Sequence, residues 1–136
     1  MARYGVRARG KNQIEPRRLS WKAILSGIAF TFLTTLIVSG AMALVVAFTQ
    51  LTEPGTASVI YYLALIVVAL GGAYGARQAS SLGWLHGGLV GLGYAVLAGL
   101  IGLLVFPAGL AVVEITRRLI IAFAAGAIGG MVGVNL

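Results

Sequence analysis

The chain of 136 residues contains no cysteine and no aspartate, a single histidine (His86), and only three acidic residues, Glu15, Glu53 and Glu114. Without cysteine there is no disulfide framework, thiolate metal site or thiol nucleophile. Without aspartate a Ser–His–Asp triad cannot be assembled. His86 has no neighbouring carboxylate with which to share a metal ion. The glycine runs lack the GxxxxGK[ST] spacing of a phosphate loop. Charge of either sign is scarce: charged residues make up 10% of the chain and apolar ones 60%, and the mean hydropathy is +1.00. A water-soluble domain of this size needs far more charge to cover its surface, so the solvent for most of this chain is lipid.

What charge there is collects at one end. Of the net +7, the first 22 residues supply +6, through Arg3, Arg7, Arg9, Lys11, Arg17, Arg18 and Lys22 against Glu15. A basic arm joined directly to a hydrophobic segment sits against anionic headgroups and fixes orientation; it is not read as a nucleic-acid contact. Residues 1–19 hold Gly5, Gly10 and Pro16 with no sustained period. They read as a disordered basic tail, and residues 20–136 as one all-α membrane domain.

Four apolar stretches are long enough to be spans, about 23–48, 57–76, 86–106 and 119–134. Ser20 is placed to cap the first, with Trp21 and Lys22 at headgroup level. Ala41-Met42-Ala43 resembles a signal cleavage site, but the apolar run before it is too long for a secretory signal, and an uncleaved first span is expected. Thr52-Glu53-Pro54-Gly55 has the composition of a type II turn, residues 77–81 form a polar turn, and Pro107-Ala108-Gly109 ends the third span. The spans therefore make two hairpins with both termini on one side. Placing the N-terminus inside puts the seven basic residues of the tail and Arg77 inside, and only Arg117 and Arg118 outside, so the expected orientation is N-in and C-in.

Small residues recur at helical spacing. Gly87, Gly91, Ala95 and Gly99 lie four apart on span three, Gly71 and Gly75 on span two, and Gly126–Gly130 and Gly129–Gly133 on span four. Such registers form glycine-zipper seams where helix backbones approach closely. Span one offers only Ser39-Ala43-Ala47. Lys22, Arg77, Trp84 and His86 are expected at the inner interface, His86 in a hydrogen-bonding role. Thr31, Thr34, Thr35 and Ser39 in span one and Tyr94 in span three are hydroxyls deep in the membrane, expected to bond to carbonyls one turn back or to a neighbouring helix. No Asp, Glu, Lys or Arg falls in the middle of a span, where proton relays and ion sites place them.

GGAYGARQASSLGWLHGGLVGLGY, with the C-terminal GAIGGMVGVNL, resembles the YrzE-like family of small four-span membrane proteins, mainly from Gram-positive bacteria. The specific parts are GARxA with GWLHG near the inner turn and GVN at the end, and the resemblance covers residues 22–136. It implies a four-helix architecture in the bacterial cytoplasmic membrane, and no catalytic residues. The expected function is a non-enzymatic interaction or scaffold component, as a homo-oligomer or on a larger membrane-protein partner, with no cofactor and no metal. The alternative is an oligomeric small-solute channel or carrier with the span-one threonines facing a pore. An enzyme is not expected, because too few ionisable groups are present for acid–base chemistry.

Overall fold

The computed structural model describes residues 19–49, 53–79, 82–105 and 112–136. These form four helices, α1 (Trp21–Phe48), α2 (Glu53–Ala79), α3 (Gly83–Val105) and α4 (Val112–Asn135). Each is long and apolar enough to cross a membrane. No strand occurs among the described residues. The basic tail expected over residues 1–18 lies outside the described residues, as do Thr52, Ser80, Ser81, Phe106 and Pro107-Ala108-Gly109.

The helices are longer than the apolar runs they contain. Ser20 caps α1: its hydroxyl accepts from the Ala23 N–H at 3.4 Å and its carbonyl from the Ile24 N–H at 3.1 Å. The Thr49 N–H closes the other end on the Val45 carbonyl. The type II turn expected at Pro54 and Gly55 is instead the first turn of α2. Proline is accepted there because the first N–H groups of a helix have no intrahelical partner to lose. Likewise α2 runs on past Arg77 to Ala79, shortening the expected polar turn. Glu114, Arg117 and Arg118 stand inside the opening turns of α4, not before it.

The core lies at one end of the bundle. Buried positions are Ala23, Ile24, Gly27 and Thr31 at the start of α1 and Val67, Val68, Gly71, Gly72, Gly75 and Ala76 toward the end of α2. Gly83 to Gly91 at the start of α3 and Ala122 to Gly133 in the later part of α4 supply the rest. The other half of every helix is half-buried or exposed. Apart from Ile24, the apolar residues of this core are glycine, alanine and valine.

The reason is how close the backbones come. On α4, Gly126 and Gly130 face α3, where an added Cβ would overlap the carbonyls of Gly87 and Gly83. Gly129 and Gly133 face α2, where it would overlap the carbonyls of Ala69 and Ala73. Two interleaved glycine pairs thus let α4 sit against two helices at once. On α3, Gly91 meets Ala122 and lies, by its missing Cβ, 3.2 Å from Val68 Cγ1. Helix α1 packs on α2 and α3 and does not touch α4. Fully buried Val90 fills the hole left by Gly27 and Gly75, whose absent Cβ atoms would stand 2.6 and 2.9 Å from its Cγ2.

Two parts of the expected seams are not packed among the described residues. At Gly99 a Cβ would meet nothing within 4 Å, because α3 has by then diverged from α4, so Gly99 takes no part in an internal seam. In α1 the packed register is Ala23, Gly27 and Thr31; Ser39, Ala43 and Ala47 are exposed.

Adding one methyl should therefore have opposite effects two turns apart. Gly91→Ala should lower the melting temperature of the detergent-extracted protein by the equivalent of about 1–3 kcal/mol, the range for overpacking. Gly99→Ala should leave it unchanged or raise it, by up to about 1 kcal/mol of helix propensity. Indistinguishable melting curves for the two variants would contradict the one-ended core.

Candidate functional site

The closed end holds the polar residues singled out in the sequence. Lys22 at the start of α1, Arg77 in the last turn of α2 and Trp84 in the first turn of α3 form an exposed rim, with Trp84 49% accessible. Inside this rim sits His86, with no accessible surface. Its Nε2 accepts from the Ser20 backbone N–H at 3.0 Å, and its Nδ1 lies 3.2 Å from the Leu82 carbonyl oxygen. An amide N–H can only donate and a carbonyl can only accept, so both contacts are satisfied by the tautomer that carries its proton on Nδ1. The imidazole thereby ties the start of α1 to the start of α3.

Leu82 shapes this junction. Its φ of 50° is left-handed, a conformation that costs a residue with a Cβ about 1–2 kcal/mol. In that conformation its carbonyl is met by the N–H groups of Leu85 and His86, each at 3.0 Å, as well as by the imidazole. A second polar link joins α1 to α2, where the Ser26 hydroxyl donates to Gln78 Oε1 at 2.7 Å. Thr31, also without accessible surface, donates to the Gly27 carbonyl at 2.7 Å and lies in the space left by Gly71. Thr35 repeats the pattern on the Thr31 carbonyl at 2.8 Å. Every buried side-chain nitrogen and oxygen among the described residues has a partner.

The opposite end is splayed and carries two clefts. One, of about 630 Å³, lies between α1 and α2, with Thr35, Ser39, Thr56 and Tyr94 among its walls. The other, of about 500 Å³, lies between α2, α3 and α4, and Gly99, Gly102, Ala95 and Ala98 line its α3 side. Ile60, Ala64 and Tyr94 belong to both and form the partition between them. At the mouth of the second, Arg117 grips Glu114 through Nε and Nη2 at 3.1 and 2.9 Å, and Arg118 Nε donates to the same carboxylate at 3.0 Å. These side chains are well exposed, at 63% for Arg117 and 62% for Arg118.

The structure thus brings Lys22, Arg77, Trp84 and His86 to one end, with Gly71, Gly75, Gly87, Gly91, Gly126, Gly129, Gly130 and Gly133 packed just beneath them. Gly99 it sends to the open end. Not singled out in advance were Gly27, Val90 and Leu82. The first was readable, since Ala23, Gly27 and Thr31 share the four-residue spacing of the other seams. Among the described residues no three of His, Cys, Asp and Glu come together as a metal site would require.

These features define a small integral membrane protein whose four helices are joined at one end by backbone-close packing and open at the other. The chain belongs to the family described as a protein of unknown function, DUF3792, whose model matches residues 20–133. The match begins at Ser20, the residue that caps α1 and meets His86, and takes in α1 to α3 and α4 as far as Gly133. No curated protein and no solved structure matches the chain.

Replacing His86 by phenylalanine keeps an aromatic ring but leaves the Ser20 N–H without its acceptor, at a cost of about 1–3 kcal/mol. Amide hydrogen exchange should accelerate at the start of α1 while the glycine-packed part of α4 stays protected. Uniform acceleration along all four helices would mean that the histidine supports the whole core and does not serve as a local clamp.

Proposed function

We propose that the protein works by lateral association inside the membrane, as a non-enzymatic interaction or scaffold component built into a homo-oligomer or onto a larger membrane-protein partner. The observation that carries this reading is the one-ended core: the other half of each helix is only half-buried or exposed. Apolar helices gain nothing from hiding such surface from lipid, so a helix–helix contact there must come from close packing. Small uncovered positions suit it. Gly40 on α1 meets nothing within 4 Å, and Ser39, Ala43 and Ala47 wall the first cleft. The resemblance to the YrzE-like family adds the bacterial cytoplasmic membrane as the location we assign.

The basic tail and Arg77 argue for the closed end, with both termini, facing the cytoplasm, the tail lying on anionic headgroups. Single cysteines at Gly55 and Gln78 test this in intact cells with an impermeant thiol reagent. Gly55→Cys should label from outside and Gln78→Cys only after lysis; the reverse pattern inverts the topology.

A second reading, an oligomeric small-solute channel or carrier, draws support from the hydroxyls of Thr35, Ser39, Thr56 and Tyr94 around the first cleft. The mass of the mildly extracted complex separates the two. A stoichiometric second protein is the outcome expected of a scaffold. A closed homo-oligomer that conducts a solute in liposomes, with flux abolished by Thr35→Val, would replace the scaffold reading by the carrier.

A further inference from the structure

We propose that the cleft between α2, α3 and α4 is a binding site for one anionic phospholipid, with a single acyl chain along the cleft and the phosphate at Arg117 and Arg118. The proposal rests on the membrane setting of the four helices and is independent of any protein partner.

Three features of the cleft select this occupant. Its α3 wall runs from Tyr94 to Gly102, and the antiparallel register that pairs Gly87 with Gly126 and Gly91 with Ala122 carries Glu114 alongside Gly99, so the stretch from Tyr94 to Gly99, about 8 Å at 1.5 Å per residue, takes the upper half of an acyl chain in a leaflet of about 15 Å. Its α3 wall is apolar and cut back to Ala95, Ala98, Gly99 and Gly102, and a Cβ on either glycine would meet nothing within 4 Å. These glycines do not serve a helix contact among the described residues, and what their lack of a side chain leaves is room. Finally, the polar mouth is cationic. Glu114 collects both guanidiniums, holding two positive charges beside one negative, and among the described residues it is their only hydrogen-bond partner. Arg118 meets Glu114 through Nε, which keeps its Nη donors for the fork geometry that recognises phosphate oxygens.

A second copy of the chain is a poorer occupant. Copies inserted in the same orientation carry their Arg117–Arg118 rims at the same depth, so a two-fold contact through this cleft would set two net-positive mouths side by side. A phosphodiester headgroup meets the rim with the opposite charge. Its acyl chain also needs no hydrogen bonds from the apolar walls.

Native mass spectrometry of the full-length protein, released from vesicles of mixed phosphatidylglycerol and phosphatidylcholine, tests the assignment. Wild type should retain one phosphatidylglycerol in preference to phosphatidylcholine by about fivefold, the effect of one net surface charge. Arg117→Gln with Arg118→Gln should abolish the preference. Gly102→Leu, which fills the cleft from a position with open surroundings, should lose the retained lipid, whereas Gly40→Leu on α1, outside the cleft, should keep it. Melting temperatures in lipid-free detergent should not fall below wild type for any of them, which separates lost binding from lost fold. Retention unchanged by both the arginine and the Gly102 variants would overturn the site, and so would efficient disulfide cross-linking of two copies through Gly102→Cys.

Discussion

Close approach of helix backbones at one end of the bundle is the constraint from which the other features follow. In lipid the apolar face of a helix gains nothing by turning inward, so cohesion comes from dispersion, weak Cα–H···O contacts and the few polar links available. All of these fall off steeply with distance. Glycine at Gly83, Gly87 and Gly91 on α3, and at Gly126, Gly129, Gly130 and Gly133 on α4, lets carbonyls and Cα atoms occupy the space where side chains would be. Helices held this closely at one end and bearing Leu, Ile, Val and Tyr at the other must diverge. The two clefts are the geometric remainder of that divergence.

The polar contacts reinforce the same end. Ser20 spends its hydroxyl and carbonyl on the first turn of α1 and its N–H on His86. One residue is therefore both a helix cap and a tether to α3. Thr31 bonds its own helix at the Gly27 carbonyl and in doing so presents a compact surface to Gly71. Such intrahelical bonds cost no exposed polar atom and let a hydroxyl act as a small apolar side chain at the interface. The ion cluster at Glu114 differs in kind: solvent-exposed pairs of this sort contribute little to stability, so its arrangement bears on what approaches the mouth more than on how the bundle is held.

Much of this was legible in the sequence, and the misses have physical causes. Helix number and the faces of α2, α3 and α4 followed from apolar length and four-residue glycine spacing, because those patterns are local. Spacing cannot report where neighbouring helices part, so the register of Gly87 and Gly91 was carried on to Gly99, which faces open space. In α1 the eye goes to Ser39-Ala43-Ala47, whereas Ala23, Gly27 and Thr31 make the contact. Those three lie near the helix start, where α3 also begins, and only the tertiary arrangement brings them together. His86 was placed at an interface, since nothing in its sequence neighbours revealed that the Ser20 N–H would come from 66 residues away. Pro54-Gly55 was read as a turn because the same residues open a helix as readily as they bend a chain.

Glycine thus has two meanings in one helix, and the difference decides where association can occur. At Gly91 the missing side chain is filled by the Ala122 carbonyl, and the surface is spent. At Gly99 and Gly102, two and three turns on, the same omission leaves a hollow whose other wall carries Ile121 and Ala122 of α4 and whose mouth carries the only charged cluster among the described residues of that end. The buried polar groups of the closed end are all satisfied internally, with Thr31 and His86 committed to backbone partners. Apart from the exposed rim of Lys22, Arg77 and Trp84, chemistry directed outward lies at the open end, in apolar walls, a few hydroxyls and the Glu114–Arg117–Arg118 cluster. A molecule that is apolar along its chain and anionic at its tip complements both parts of that surface, whereas a uniformly apolar helix complements only one.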